Sequence, residues 1–185
     1  MEIEQLPLAG ALLLRPRTFT DERGFFKETY SLDRYRGCGV AEIFVQDNLS
    51  LSHRGVLRGL HGAAQTAKLV SVVLGSVFDV IVDLRPQSST YRRWWSHTLS
   101  AAGGEQVYVP VGFLHGFLAL EDETVFAYKQ SARYDPATEY SVAWNDPELA
   151  IEWPLAGKQP VLSARDAENR RLAELPLATN AIDPR

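Results

Sequence analysis

The feature that most constrains this chain is a succession of short β-favouring runs between Gln46 and Tyr134, each closed by turn residues. They are Gln46–Ser52, Gly55–His61, Lys68–Leu74, Val77–Arg85, Trp94–Ser100, Gln106–Val109, Gly112–Leu120 and Thr124–Gln130. No long amphipathic stretch separates them, which argues against a parallel βαβ plan and predicts an antiparallel sandwich or barrel. Leu74-Gly75-Ser76 predicts a hairpin between the third and fourth runs, and Ala101–Glu105, around Gly103-Gly104, predicts another.

Side chains alternate between the two faces of a strand. Gln46, Asn48 and Ser50 therefore form one polar row, facing either solvent or a wet cavity, while Thr124, Phe126, Tyr128 and Gln130 share a face opposite Val125, Ala127 and Lys129. Helix is expected in a short piece over Leu32–Tyr35 and in a C-terminal one opened by Ser163, where Ser163-Ala164-Arg165-Asp166 has the pattern of a capping box. Ala178–Arg185 reads as a frayed tail. The length of 185 residues suits a single domain spanning residues 1–185.

A net charge of −4 gives no diffuse positive field to attract nucleic acid or anionic membranes, so local Arg and Lys must hold any anionic ligand. The one cysteine, Cys38, rules out an internal disulfide framework and fits a reducing, cytoplasmic compartment. Met1–Ala11 lacks the basic start and apolar stretch of a secretory signal, and no run has the length of a bilayer-spanning segment, so a soluble protein is expected.

Several segments carry a specific pattern. Gly55-Val56-Leu57-Arg58-Gly59-Leu60-His61 is followed by Lys68-Leu69-Val70, and Arg23-Gly24-Phe25-Phe26-Lys27-Glu28 lies near the start. Gln46-Asp47-Asn48-Leu49-Ser50, Val82-Asp83-Leu84-Arg85 and Pro110-Val111-Gly112-Phe113-Leu114-His115-Gly116-Phe117 follow in order. Trp144-Asn145-Asp146-Pro147, Ile151-Glu152-Trp153-Pro154 and Leu162-Ser163-Ala164-Arg165-Asp166 complete the set. In this order the motifs closely resemble the dTDP-4-dehydrorhamnose 3,5-epimerase family.

The resemblance implies a mainly β, cupin-type jelly-roll (double-stranded β-helix) barrel with short peripheral and C-terminal helices. It also implies an isomerase that works on a nucleotide-linked 4-keto-6-deoxy sugar without metal or redox cofactor. The carbonyl at C4 acidifies the protons at C3 and C5; one is removed and another is returned to the opposite face. On the resemblance, His61 is the base, a role suited to an imidazole because its ordinary pKa lies near working pH. Asp166 orients it, Tyr128 is the acid, and Lys68, helped by Arg58, holds the developing oxyanion. Strand parity puts Arg58 and His61 on opposite sides unless the chain bends or bulges at Gly59.

Arg23, Phe26 and Glu28 resemble a clamping segment that reaches a neighbouring subunit, which implies a homodimer. Gln46, Asn48 and His115 resemble polar contacts to sugar and diphosphate, Tyr134 an aromatic face for the base or nearby substrate, and Arg165 a further substrate contact.

Taken singly, these residues have plainer readings: a structural histidine, a helix-terminal Asp166, a core Tyr128, a surface Tyr134 and a solvated Lys68. Trp94-Trp95, Trp144 and Trp153 read as core or interface bulk. His115 also fits the Pro-x-Gly-x-x-His pattern by which metal-binding cupins deliver one ligand, so a metal-dependent cupin is a second class. A non-catalytic nucleotide-sugar-binding cupin is the third. Family members usually follow the histidine with an aromatic and a Gln; here Gly62-Ala63-Ala64 and a shortened connection to Lys68 stand in that place. That departure leaves open a 3-epimerase, or a substrate with another nucleotide or a heptose.

Overall fold

The structure, a computed structural model, describes residues 1–175, so the tail expected at Ala178–Arg185 lies outside it. In chain order the elements are β1 (Glu2–Gln5), β2 (Leu12–Arg15), β3 (Thr18–Asp21), β4 (Gly24–Lys27), α1 (Leu32–Gly37), β5 (Gln46–Ser52), β6 (Leu57–Ala63) and β7 (Lys68–Leu74). They continue with β8 (Ser76–Asp83), β9 (Trp94–Ser100), β10 (Gln106–Val109), β11 (Phe113–Ala119), β12 (Thr124–Gln130), β13 (Glu139–Ser141) and α2 (Ala164–Ala167).

Six strands form one sheet in the order β1-β2-β10-β7-β12-β5, and five form a second in the order β13-β6-β11-β8-β9. The named pairings within both are antiparallel. The sheets face each other as a cupin-type jelly roll. Val70, Val72, Val107 and Phe126 from one sheet interdigitate with Val77, Ile81, Leu99, Phe113 and Phe117 from the other. Each such side chain contributes about 1.5–3 kcal/mol when fully buried.

Two corners differ from expectation. Gly75 and the Ala101–Glu105 turn were expected to close hairpins, yet β7 and β8 lie in different sheets, as do β9 and β10. Both turns are corners where the chain crosses from sheet to sheet. Gly75 has φ +77° and its backbone lies against Thr124, where a Cβ would come within 2.6 Å of Oγ1.

The outer faces are covered unequally. On the five-stranded sheet, Leu57, Leu60, Val80, Val82 and Leu114 pack beneath Val142, Leu149, Trp153 and Leu172 of the C-terminal third. The indoles of Trp94 and Trp153 donate to the carbonyls of Leu149 and Trp144, at 2.8 Å each, so these tryptophans are packing residues as expected. On the six-stranded sheet, Tyr35 of α1 covers Leu12, Leu14 and Tyr108. The far side of that sheet is bare: Leu49, Leu51 and Val73 are 69%, 54% and 57% exposed. The polar row of β5 accordingly faces inward and its leucines outward.

Candidate active site

A cavity of about 310 Å³ opens between the sheets at one end of the barrel. The antiparallel registers put its chemistry on two walls. His61 and His115 are cross-strand neighbours on the five-stranded sheet. Lys68 begins β7 opposite Gln130 of β12, and Tyr128 lies two residues along on the same inward face of the six-stranded sheet. His61, His115, Lys68 and Tyr128 all line the cavity.

Arg58 joins them through an irregular strand. Between β6 and β11 the register moves from His61↔His115 to Arg58↔Phe117, three residues against two, so β6 carries a bulge that reverses side-chain parity. Gly59, at φ +131°, forms its centre; a Cβ there would sit 2.6 Å from the Gly116 Cα, so only glycine lets the strands approach. Arg58 is then held by Nε donation to Ser52 Oγ and Nη2 donation to the Leu51 carbonyl, both at 3.0 Å.

The C-terminal third returns along β6 through reciprocal backbone bonds between Gly55, Leu57 and Val161, and this brings α2 beside His61. Asp166 Oδ1 lies 2.6 Å from His61 Nε2, and Asp166 is only 5% exposed. Burial alone would raise this carboxyl; the hydrogen bond and charge of His61, the Ser163 hydroxyl and Arg165 outweigh it and hold it below the usual carboxylate value. Ser163 caps α2 by accepting from the Asp166 amide at 3.0 Å. The expected capping box is half formed, because the Asp166 carboxylate turns to His61 instead of to the cap's own N–H.

Burial pushes the Lys68 ammonium down to about 8, with Glu139 and Asp79 partly opposing the shift. Its Nζ donates to the His61 carbonyl at 3.4 Å. The Tyr128 phenol is raised, first by burial and then by the Glu139 carboxylate, with Arg58 opposing. It therefore keeps its proton at neutral pH.

Several contributors had not been singled out from the sequence. Glu139 lines the mouth, where it accepts from Arg165 Nη2 at 2.6 Å and from the Tyr134 hydroxyl at 3.2 Å. Asp79, with no exposure, holds His115 Nε2 at 2.7 Å, and His115 stacks on Phe126 with centroids 5.7 Å apart. Ser50, Phe117, Phe126 and Ser163 complete the lining. Asp79 left a legible signal, being an acid at an inward position in the apolar run Val77–Val82. Glu139 left none.

Other expected residues fall beside or away from the cavity. Gln46 and Asn48 are on the inward row but do not line it, because their amides are engaged with each other at 2.8 Å, with the Tyr134 amide and with Gln130. Tyr134 reaches the rim and is half exposed. Arg23, Phe26 and Glu28 lie on or beside the β3–β4 ribbon, outside this chain's cavity. Arg23 is paired with Asp21 at 2.6 Å, Phe26 is 69% exposed, and Glu28 is bridged to Arg34 at 3.1 Å. For metal binding, the His115 Nε2 is taken up by Asp79, and among the described residues no group of three or more His, Cys, Asp or Glu converges.

The fold and the pocket together define a cupin-type barrel with a cavity lined by ionisable side chains between its sheets. The sequence model of the dTDP-4-dehydrorhamnose 3,5-epimerase family matches residues 5–174. The chain belongs to that family. It is 44% identical over 177 residues to the dTDP-4-dehydrorhamnose 3,5-epimerase of Pseudomonas aeruginosa, covering 94% of this chain and 97% of the relative. It is 42% identical over 178 residues to the dTDP-4-dehydrorhamnose 3-epimerase of Streptomyces niveus, covering 94% and 85%. The crystal structure of dTDP-6-deoxy-D-glucose-3,5-epimerase from Legionella pneumophila, in complex with dTDP-4-keto-L-rhamnose, superimposes with a TM-score of 0.90 at 43% identity, covering 94% of each chain.

Proposed function

We propose that the protein converts dTDP-4-dehydro-6-deoxy-D-glucose to dTDP-4-dehydro-L-rhamnose by inverting C3 and C5. The observation that carries this is the His61–Asp166 pair on one wall of the cavity with Tyr128 on the other. A sugar ring lying between the sheets then has a base on one face and a phenolic acid on the opposite face. His61 takes the proton alpha to the C4 carbonyl, and the electron pair moves onto O4. The Lys68 ammonium, with Arg58, stabilises the resulting oxyanion. Collapse of the enolate takes a proton from the Tyr128 hydroxyl on the opposite face, and exchange with water restores both groups. Asp166 supports the imidazolium.

Arg58 and Arg165 supply cationic contacts for the diphosphate that the net negative chain lacks overall, and Tyr134 at the rim offers a ring to the base. Gln46 and Asn48 support the Tyr134 loop, and His115 faces the sugar.

The working unit is a homodimer of single-domain chains, its N-terminal ribbon crossing to the partner. Support comes from the bare apolar face of Leu49, Leu51 and Val73, and from Phe25 and Phe26, both exposed on the β3–β4 ribbon. No described helix is long and apolar enough to cross a membrane. The lone Cys38 supports a cytoplasmic setting.

Incubation with dTDP-4-dehydro-6-deoxy-D-glucose in deuterated water tests the reading: label is expected at both C3 and C5. The 3-epimerase named among the relatives supports a second reading, which predicts label at C3 alone. Absence of exchange at both positions across dTDP-, GDP- and CDP-linked substrates would overturn the assignment.

A further inference from the structure

Asp166 belongs to a helix of only 4 residues, too short to hold a carboxylate at a fixed angle by its own rigidity. What holds it is Ser163. The Ser163 hydroxyl donates to Asp166 Oδ2 at 2.9 Å while its lone pair accepts from the Asp166 amide at 3.0 Å. The other oxygen, Oδ1, faces His61 Nε2 at 2.6 Å. Rotation of the carboxylate about its Cβ–Cγ bond would break both side-chain bonds at once.

We propose that Ser163 is a positioning residue for epimerisation, which locks the Asp166 carboxylate onto His61 while capping the turn that carries it. This rests on the assignment of His61 as the base. Two features set it apart from an ordinary cap. First, a cap serves the backbone, whereas this hydroxyl also serves a side chain that leaves the helix to reach a residue 105 positions away. Second, the chemistry restricts the position. Among cap residues, aspartate accepts but cannot donate to a second carboxylate, and glycine does neither; a hydroxyl does both at one atom. Ser163 also borders the cavity itself, so its bond to Asp166 is made at the edge of the substrate space.

The test is solvent-exchange kinetics on Ser163→Ala, Ser163→Thr, Asp166→Ala and the double variant Ser163→Ala/Asp166→Ala. Losing a hydrogen bond to a charged group predicts a fall in kcat of roughly tenfold for Ser163→Ala, with KM unchanged. The acid limb of its rate profile should move to higher pH, because a carboxylate deprived of a donor draws more strongly on the proton it shares with His61. Ser163→Thr should restore both. In the Asp166→Ala background the serine substitution should have no further effect. Wild-type rates and pH profile in Ser163→Ala, or a further tenfold loss in the Asp166→Ala background, would overturn the proposal. If Ser163→Ala does not fold, Ser163→Gly, which retains most N-cap stability, carries the same test. A wild-type enzyme that exchanges no substrate would instead overturn the base assignment, and the wild-type control reads that outcome separately.

Discussion

The role of Lys68 as the oxyanion-holding cation is testable by pH alone. Its ammonium titrates at about 8, well below an exposed lysine, because burial disfavours the charge more than Glu139 and Asp79 favour it. If the cation holds the enolate oxygen, only the protonated enzyme turns over. With a value of about 8, roughly nine in ten molecules carry the charge at pH 7 and roughly one in ten at pH 9, so kcat/KM should fall about tenfold across that interval. The sign follows from the role: loss of a proton removes the charge, so activity declines as pH rises. Tyr128, raised above its ordinary value, stays protonated through the same range and adds no limb there. The assay is deuterium exchange in buffers spanning pH 6 to 10. Lys68→Met should be slower by roughly 10²–10³, the usual worth of one oxyanion donor, and should lose the limb. Lys68→Arg should also lose the limb but keep a measurable rate. A flat wild-type profile to pH 10, or a limb that survives in Lys68→Met, would refute the reasoning.

Other expectations concern the scaffold. Asp83 is fully buried and accepts from Arg85, Ser88 and Thr90, so Asp83→Ala should cost about 3–5 kcal/mol in urea unfolding by removing the acceptor these three groups share. A Cβ at Gly62 would lie 2.4 Å from the Tyr140 ring; Gly62→Ala should therefore cost about 1–3 kcal/mol, and Tyr140→Leu should recover part of the melting temperature. Leu49→Lys combined with Val73→Lys places charge on the bare sheet face and should convert the proposed homodimer to monomer in light scattering, with activity lost if the N-terminal ribbon completes the neighbouring site.

The strands legible in the sequence were those with strong alternation and turn residues at both ends. β5, β7, β9, β10 and β12 have the expected bounds. β6 runs two residues later than expected, since its bulge at Gly59 is set by close contact with Gly116 and not by any local pattern. β1 to β4 and β13 carry no period to read: Glu2–Gln5 is exposed throughout, and β13 has three residues. Turn chemistry at Gly75 marks a reversal of direction but cannot say whether the flanking strands pair, so a corner between sheets reads locally as a hairpin.

The site shows the same division. His61 and Lys68 belong to neighbouring segments of one pattern, and parity put Tyr128 on one face with Phe126, a face the structure turns inward. Asp166 reaches His61 only through the return of the C-terminal third along β6, which resemblance can suggest and local pattern cannot. Gln46 and Asn48 are set one layer behind the cavity lining by hydrogen bonding among neighbouring amides, which is invisible in the sequence.

The central claim is that His61 removes the proton. Exchange at C3 and C5 of dTDP-4-dehydro-6-deoxy-D-glucose by His61→Ala, measured beside calorimetric binding of dTDP, tests it most directly. Exchange should fall by roughly 10²–10⁴, the usual contribution of a positioned base, with dTDP affinity unchanged. Exchange at the wild-type rate in a variant that still binds dTDP would contradict it.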